Sequence, residues 1–428
     1  MNVQSVWDVL SERGFIEQTN DEEEISRRLA SGPVSCYIGF DPTASSLHVG
    51  SLVPIMALAH MQRHGHKPIV LIGGGTALIG DPSGKTEMRQ ILSRERIDQN
   101  AGCLQRQFEK YLTFGANGAQ MLNNADWLTQ LNYISFLRDI GYYFSVNKML
   151  SAESYRMRLE RGLNFIEFNY MLLQAYDFLY LFQNNHCILQ MGGNDQWGNM
   201  LAGVDLIRRV EGKTVYCLTF PLITTASGGK MGKTEKGTVW LDGDLTTPYE
   251  YFQYWMNTED GDVRRFLSFF TFLPMEEIRR VQELKDARLN VAKAVLAFEA
   301  TRITHGQDAA VAAWKASAAA FGLKPVEAGI LPASSIPRDF TEQDNSAITR
   351  VTVERERIER GIPAFELFAD IRLCASRGEA RRLISQGGAY INDEPVSSFD
   401  QTVNSRFLRD GEIHLRKGKK RHFIVVVK

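Results

Sequence analysis

Apolar positions along the first half of the chain alternate between two spacings. Short runs dense in apolar residues, Cys36–Phe40, Pro68–Gly73, His186–Met191 and Val215–Leu218, predict buried strands. Between them, Leu52–Met61, Ser93–Tyr111 and Phe165–Leu181 carry apolar residues three and four apart, which predicts helices. Parallel strands need long crossovers, so strands spaced by helices argue for a parallel sheet. The expected fold is α/β: a doubly wound, Rossmann-like domain with ligands outside the carboxyl ends of its strands. From Thr247 to Leu323 the spacing stays helical and ends in an alanine-rich tract, predicting a helical domain. Pro325, Pro332, Pro337 and Pro363 bracket a stretch with little periodicity, read as linker. Beyond it, Ser376 is an N-cap candidate with Glu379 three residues on, and 387–392 and 422–427 read as strands around a basic turn. That predicts a small α+β domain. The expected partition is 1–224, a loop region 225–246, the helical domain 247–324, the linker 325–363 and the terminal domain 364–428.

Two segments carry most of the chemistry. Asp41 to Gly50 sits between a strand and a helix, which puts Thr43 and His48 near a helix N-terminus, where backbone N–H groups and the dipole favour an anion. Lys230 to Thr234 offers two lysines and a hydroxyl on a glycine-bearing loop, suited to a polyphosphate. A site made of both would hold ATP from two sides. Gly192 to Gly198 follows a strand and places Asp195 and Gln196 at its carboxyl end. Tyr170, Gln174 and Asp177 share one helical face, either as a satisfied buried network or as a pocket wall.

Other patterns fail as nucleotide motifs. Gly73 to Gly80 lacks the GxGxxG spacing, since position 78 is leucine, and Gly80 to Thr86 is one residue short of a P-loop and holds Pro82. Asp81 is expected instead at a strand end facing the pocket, with Lys85 and Arg89 supplying positive charge on the loop beyond. His60, His64 and His66 lack a nearby carboxylate or cysteine and read as a solvated helix end rather than a metal site.

Composition narrows the setting. The chain has 428 residues, 44% of them hydrophobic and 23% charged, as in ordinary globular proteins. It has no uncharged apolar run of ~20 residues, which argues against a membrane span. It also lacks a basic, apolar signal sequence at its start. Five cysteines without a CxxC predict reduced thiols and a cytoplasmic location. The net charge of −1 conceals a basic tail, with 12 basic and 8 acidic residues from Ala364 to Lys428, which points to a polyanionic partner.

The segments Asp41–Gly50, Gly80–Lys85, Tyr170–Asp177, Gly192–Gly198 and Lys230–Thr234, in this order and separation, resemble the bacterial-type tyrosyl-tRNA synthetases, class I aminoacyl-tRNA synthetases. The tail is similar to the small RNA-binding module shared with ribosomal protein S-four. The resemblance implies that Tyr37 and Asp177 hold the tyrosine hydroxyl, that Asp81, Tyr170 and Gln174 hold its ammonium group, and that Gln196 lies near its carboxyl. It implies ATP binding by Gly39, Asp41, His48, Gly50, Asp195 and Lys233, with Asp195 on the adenylate ribose. The catalytic set it implies is Thr43, His48, Lys85, Arg89, Lys230, Lys233 and Thr234. Two departures stand out: Ser51 replaces the second histidine of the HIGH tetrapeptide, and the KMSKS clamp reads Lys-Met-Gly-Lys-Thr.

By the same resemblance the tyrosine carboxylate attacks the α-phosphate of ATP. The tyrosyl-adenylate then passes its acyl group to the 3′ end of tRNA(Tyr). Mg²⁺ would arrive with ATP, without a tightly bound protein metal. A homodimer is implied, with its interface around Leu131–Leu150 and one tRNA bridging both subunits. Two alternatives stay open: a related synthetase for tryptophan, against which the Tyr37–Asp177 pair argues, and an RNA-binding protein without catalysis, which would not need all the candidate cations and carboxylates together.

Overall fold

A computed structural model of the chain describes residues 4–81, 92–151, 155–156, 159, 162–224, 226, 228, 231–234, 237–321, 326–338, 349–374, 376–409, 411–418 and 421–428, with only the backbone at 233, 234, 349, 350 and 421. It divides into two compact units, Met1–Gln307 with Glu327–Ile336, and Asp308–Val326 with Pro337–Lys428.

The first unit is built on a six-stranded sheet in the order β1-β6-β5-β2-β3-β4. Its strands are β1 (Gln18–Thr19), β2 (Ser35–Phe40), β3 (Lys67–Ile72), β4 (Gln120–Asn123), β5 (Cys187–Gly193) and β6 (Tyr216–Phe220). The neighbours from β6 through β5, β2 and β3 to β4 are all parallel, and β1 lies antiparallel on the β6 edge. Pro68 to Ile72 and all of β6 are buried, as expected of strands covered on both faces. The four strands expected from apolar runs are present, shifted by one or two residues at their ends. β4 and β1 lie at the edges; β4 is only half-buried and β1 has two residues, so neither leaves a continuous apolar run.

Helix Leu52–Arg63 is buried on nearly every side. Pro54 is tolerated because it falls in the first turn, where its missing N–H costs no helical bond. This placement overturns the solvated reading for His60 and His66, while His64 stays half-exposed at the helix end. His60 is 3% exposed and packs edge-on against Phe15 and Phe272, with ring centroids 5.6 and 5.1 Å away. His66 is buried too, its Nδ1 accepting the Val34 N–H at 3.1 Å. Burial holds His60 well below the usual histidine range and brings His66 down to about 4, so both stay neutral.

Helix Phe165–Asn185 packs against helix Trp197–Glu211, and Gly203 brings them close: a Cβ there would lie 3.0 Å from the Phe178 ring. The helical segment follows. Thr247 and Glu250 form a capping box at the start of helix Pro248–Met256, with proline in its first turn. Trp255, Phe298 and Phe270 fill the core between helices Val263–Phe270 and Asp286–His305. Glu299, 2% exposed, accepts hydrogen bonds from Ser334 Oγ (2.7 Å), Ser335 N (3.0 Å) and Arg302 Nε (2.9 Å). This pins 327–336, inside the stretch read as linker, to the first unit.

In the second unit a five-stranded sheet runs in the order Glu394–Pro395, Ala389–Ile391, Glu412–Lys417, Arg421–Val427, Thr349–Val353. The last strand is also inside the expected linker, and pairs parallel to Arg421–Val427. Four of its five residues, 350–353, alternate polar and apolar, a pattern too short to stand out between prolines. Ser376 caps helix Arg377–Ser385 by accepting the Glu379 N–H, as its sequence predicts. Leu367, Phe368, Ile413 and Val425 form the core.

Candidate active site

β2 and β5 are neighbours, yet the chain leaves β2 toward β3 and β4 on one side and leaves β5 toward β6 on the other. A crevice opens outside the carboxyl ends of the strands at such a reversal. Here it is a cavity of about 470 Å³, and its wall includes Tyr37, Gly39, Asp41, Thr43, His48, Gly50, Asp81, Tyr170, Gln174, Asp177, Asp195 and Gln196. Every candidate residue with a described side chain therefore faces one space. Ser51 lines it as well. Lys85, Arg89 and Lys230 lie outside the described residues, as do the side chains of Lys233 and Thr234, whose backbone pairs with Gly237–Thr238.

Asp41 follows directly on β2. Its carboxylate accepts from Thr76 Oγ1 at 3.0 Å and fills the space beside Gly73, where a Cβ would lie 2.1 Å from Oδ1. Asn123 fills the same kind of space beside Gly74. The triple glycine thus allows close packing of neighbouring side chains. It also turns the chain away after β3, so Asp81 does not end a strand. It comes after the turn Thr76–Leu78 and enters the cavity from there, accepting from Gln196 Nε2 at 2.8 Å.

His48 caps the short turn Val49–Ser51, its Nδ1 accepting the Gly50 N–H at 3.0 Å. With Nδ1 accepting, the neutral ring is the tautomer with its proton on Nε2. The segment after the clamp runs antiparallel beside it. Val49 N–H donates to Val239 O (3.1 Å), Leu241 N–H to Leu47 O (2.9 Å) and Val239 N–H to Gly232 O (3.0 Å). Gly232 has φ +84°, and a Cβ on it would lie 2.9 Å from Val49 Cγ2 and 3.3 Å from Gly50 N. Glycine in the clamp is what lets the two motifs touch.

The far end of the cavity is buried. Asp177, 2% exposed, accepts from Asn124 Nδ2 at 2.8 Å and Trp127 Nε1 at 2.7 Å. Burial nonetheless outweighs these bonds and pushes its carboxyl up to about 7. Tyr37, 1% exposed, has a hydroxyl without a hydrogen-bond partner among the described residues, and burial with the nearby Asp177 charge holds its phenol well above the usual range. Gln190 Oε1 is likewise buried and unpaired among the described residues, on the same wall. A ligand bearing a hydroxyl fits these groups, since buried polar atoms otherwise lose their solvation without return. Tyr170 Oη sits 3.4 Å from Asp41 Oδ2, and buried Asn199 bridges Gln174 Oε1 (3.0 Å) and Gln196 Oε1 (3.2 Å).

Asn124, Trp127, Gln190 and Asn199 escaped sequence reasoning. Only Asn199 offered a signal, one helical turn after Asp195 and Gln196 on the helix that starts at their loop.

The family model described as tRNA synthetases class I (W and Y) matches residues 29–322, and that of the tyrosine–tRNA ligase SYY-like C-terminal domain matches 342–425. The tyrosine–tRNA ligase of Syntrophus aciditrophicus is 65% identical over 428 residues, the whole of both chains. That of Desulfosudis oleivorans is 59% identical over 99% of each. Among solved structures, a C-terminally truncated mitochondrial tyrosyl-tRNA synthetase of Aspergillus nidulans superposes with a TM-score of 0.66 at 32% identity, covering 73% of this chain and 93% of its own. The chain belongs to the class I tRNA synthetases and, within them, to the tyrosine–tRNA ligases.

Proposed function

We propose that the described cavity is where both halves of tyrosine–tRNA ligation take place, with the phenol at Tyr37 and Asp177 and the phosphates at the His48 edge. The Tyr37 hydroxyl, without a hydrogen-bond partner among the described residues and near the Asp177 carboxylate, carries this reading. Tyr37, protonated, donates to the substrate phenol oxygen, and the phenol donates to ionised Asp177. Phenylalanine would leave both groups unpaired. Sites of this kind reject the analogue lacking the hydroxyl by ~10⁴–10⁵, a figure drawn from this enzyme class and not worked out from this cavity.

Asp81, Tyr170 and Gln174 take the ammonium group, Gln196 lies near the carboxyl, and Asp195 holds the adenylate ribose. Gly39, Asp41 and Gly50 complete the ATP wall. A carboxylate oxygen of tyrosine attacks the α-phosphorus, the bond to the β-phosphate oxygen breaks, and pyrophosphate leaves. The terminal ribose hydroxyl of tRNA(Tyr) then attacks the acyl carbonyl and AMP departs. No protein nucleophile is required, so catalysis consists of positioning and of stabilising developing negative charge. Thr43, His48, Lys85, Arg89, Lys230, Lys233 and Thr234 take that part, and Mg²⁺ enters with ATP.

Homodimerisation through 131–150 is part of the proposal, supported by the exposure of Tyr133, Ile134, Tyr142 and Val146. So is a cytoplasmic location, supported by five free cysteines. Among the described residues no helix is long and apolar enough to cross a membrane. Pyrophosphate exchange with tyrosine, phenylalanine and tryptophan tests the slot: wild type should exchange with tyrosine alone, and Asp177→Ala should lose that preference. Retained preference in Asp177→Ala would refute the assignment. Lys233→Ala should slow exchange strongly with tyrosine affinity unchanged; equal weakening of both would count against the clamp.

A further inference from the structure

Helix Arg94–Phe108 buries two amides that the roles above leave unused, Asn100 at 2% and Gln107 at 4% exposure. Both reach the backbone between Asp41 and His48. Asn100 Nδ2 donates to Pro42 O at 2.9 Å. Gln107 Oε1 accepts the Leu47 N–H at 2.9 Å and lies 3.2 Å from Ser46 Oγ, while its Nε2 donates to Ser45 O at 3.3 Å. One side chain thus meets three consecutive residues, as a neighbouring strand would. Ser46 Oγ also accepts the Asp242 N–H at 3.2 Å, on the segment that returns from the clamp and pairs with 47–49.

The helix does not need the Gln107 amide for its own anchoring, because Ile97, Leu104 and Phe108 are buried along it. The loop does need it. Ser46 and Leu47 are buried, so water cannot easily replace a lost partner without the loop moving. His48 is the next residue, and its ring accepts the Gly50 N–H and meets Trp240 edge-on, with centroids 6.3 Å apart, on that same return segment.

We propose that Gln107, with Ser46, is a positioning residue for adenylate formation: it sets where His48 stands relative to the ATP phosphates and ties that position to the return strand of the clamp. This rests on the reading that His48 meets those phosphates. A displacement of about 1 Å in a positioned group costs on the order of 100-fold in rate. Gln107→Met keeps the volume and removes both hydrogen-bonding functions.

The test is pyrophosphate exchange with Gln107→Met, Ser46→Ala, His48→Ala and the two pairings with His48→Ala, alongside tyrosine Kd and melting temperature. Gln107→Met should lower kcat by about 10- to 100-fold with tyrosine Kd within about twofold, and in the His48→Ala background the same change should cost less than about threefold. Ser46→Ala should repeat the pattern more weakly, and it carries the test if Gln107→Met does not fold. Losses that multiply in full with His48→Ala, or that fall equally on tyrosine binding, overturn the proposal. Unchanged exchange in His48→Ala itself would instead remove the reading of the phosphate site, and the inference with it.

Discussion

Replacing Trp127 by phenylalanine removes one of the two side-chain donors on the Asp177 carboxylate and little else. The phenyl ring keeps the stack on Tyr180, whose ring lies 4.1 Å away at 14°. The lost bond, 2.7 Å from Nε1 to Oδ1, is made to a buried charge. Such bonds contribute ~1.5–3 kcal/mol, and 1.36 kcal/mol corresponds to one unit of pKa, so the Asp177 carboxyl should rise from about 7 by ~1–2 units. The direction is set by chemistry: burial already favours the neutral acid, and one fewer donor favours it further. If the substrate phenol donates to the carboxylate, only ionised Asp177 binds tyrosine well. The apparent Kd then carries a factor of one plus the ratio of neutral to ionised enzyme. At pH 7 that factor is roughly 2 in the wild type and roughly 11–100 in the variant, a loss of about 5- to 50-fold. Above pH ~9.5 both enzymes are mostly ionised and the difference should shrink toward nothing. Calorimetric titration with tyrosine from pH 6 to 10, read as the variant-to-wild-type ratio so that substrate ionisation cancels, measures this. A ratio constant across pH would mean that Trp127 supports the slot by shape alone and that Asp177 is not the phenol's acceptor.

Tyr37→Phe should weaken tyrosine binding by about 10-fold while leaving the melting temperature unchanged or higher, because the hydroxyl has no partner among the described residues to lose; a fall of several degrees in a thermal melt would contradict this. Gly232→Ser places a side chain where φ is +84° and Val49 Cγ2 is 2.9 Å away. Backbone strain of ~1–2 kcal/mol predicts adenylate formation slowed by about 10-fold in stopped-flow traces, with tyrosine Kd preserved; wild-type rates would show that the two motifs do not need this approach. Glu299→Leu strands Arg302, Ser334 and the Ser335 N–H, a loss of ~3–5 kcal/mol for a broken buried network. Limited proteolysis should then cut first within 327–336, and cleavage elsewhere at the wild-type rate would show that Glu299 is not the anchor.

The sequence made legible what is locally encoded. β2, β3, β5 and β6 announce themselves because strands buried on both faces must be apolar throughout, whereas β4 needs apolar residues on one side only. His48, Asp177 and Asp195 were readable because they sit near a helix N-terminus, on one helix face or after a strand, positions that spacing reveals, whereas Tyr37, inside β2, and Asp41 were reached through the family resemblance. Asn124, Trp127 and Gln190 were not. Each is a polar or aromatic residue with nothing unusual beside it in the chain; Asn124 and Trp127 take their meaning from a contact with Asp177, 50 residues or more away, and Gln190 from its buried, unpaired amide oxygen among the described residues on the cavity wall. His60 and His66 misled for the converse reason. Histidine near a helix end suggests solvent, but this helix crosses the interior, and only the packing around it decides.

The two ends of the cavity face opposite electrostatic demands. Asp41, Asp81, Asp177 and Asp195 all line it, while His48 is the one basic residue among the described residues on its wall. Such a wall welcomes an ammonium group and ribose hydroxyls and repels a triphosphate. If ATP binds here as proposed, it needs positive charge from outside the wall, and two sequence segments hold such charge next to described neighbours of the site: Asp81 lines the cavity and precedes Lys85 and Arg89 in the chain, and Gly232, between Lys230 and Lys233, touches the His48 turn. In the proposed function tyrosine meets a preformed, buried slot at Tyr37 and Asp177, whereas the triphosphate draws on cations beyond the acidic wall. If, as proposed, those cations act most on charge that develops during attack at the α-phosphorus, losing them should lower the rate far more than it weakens tyrosine binding.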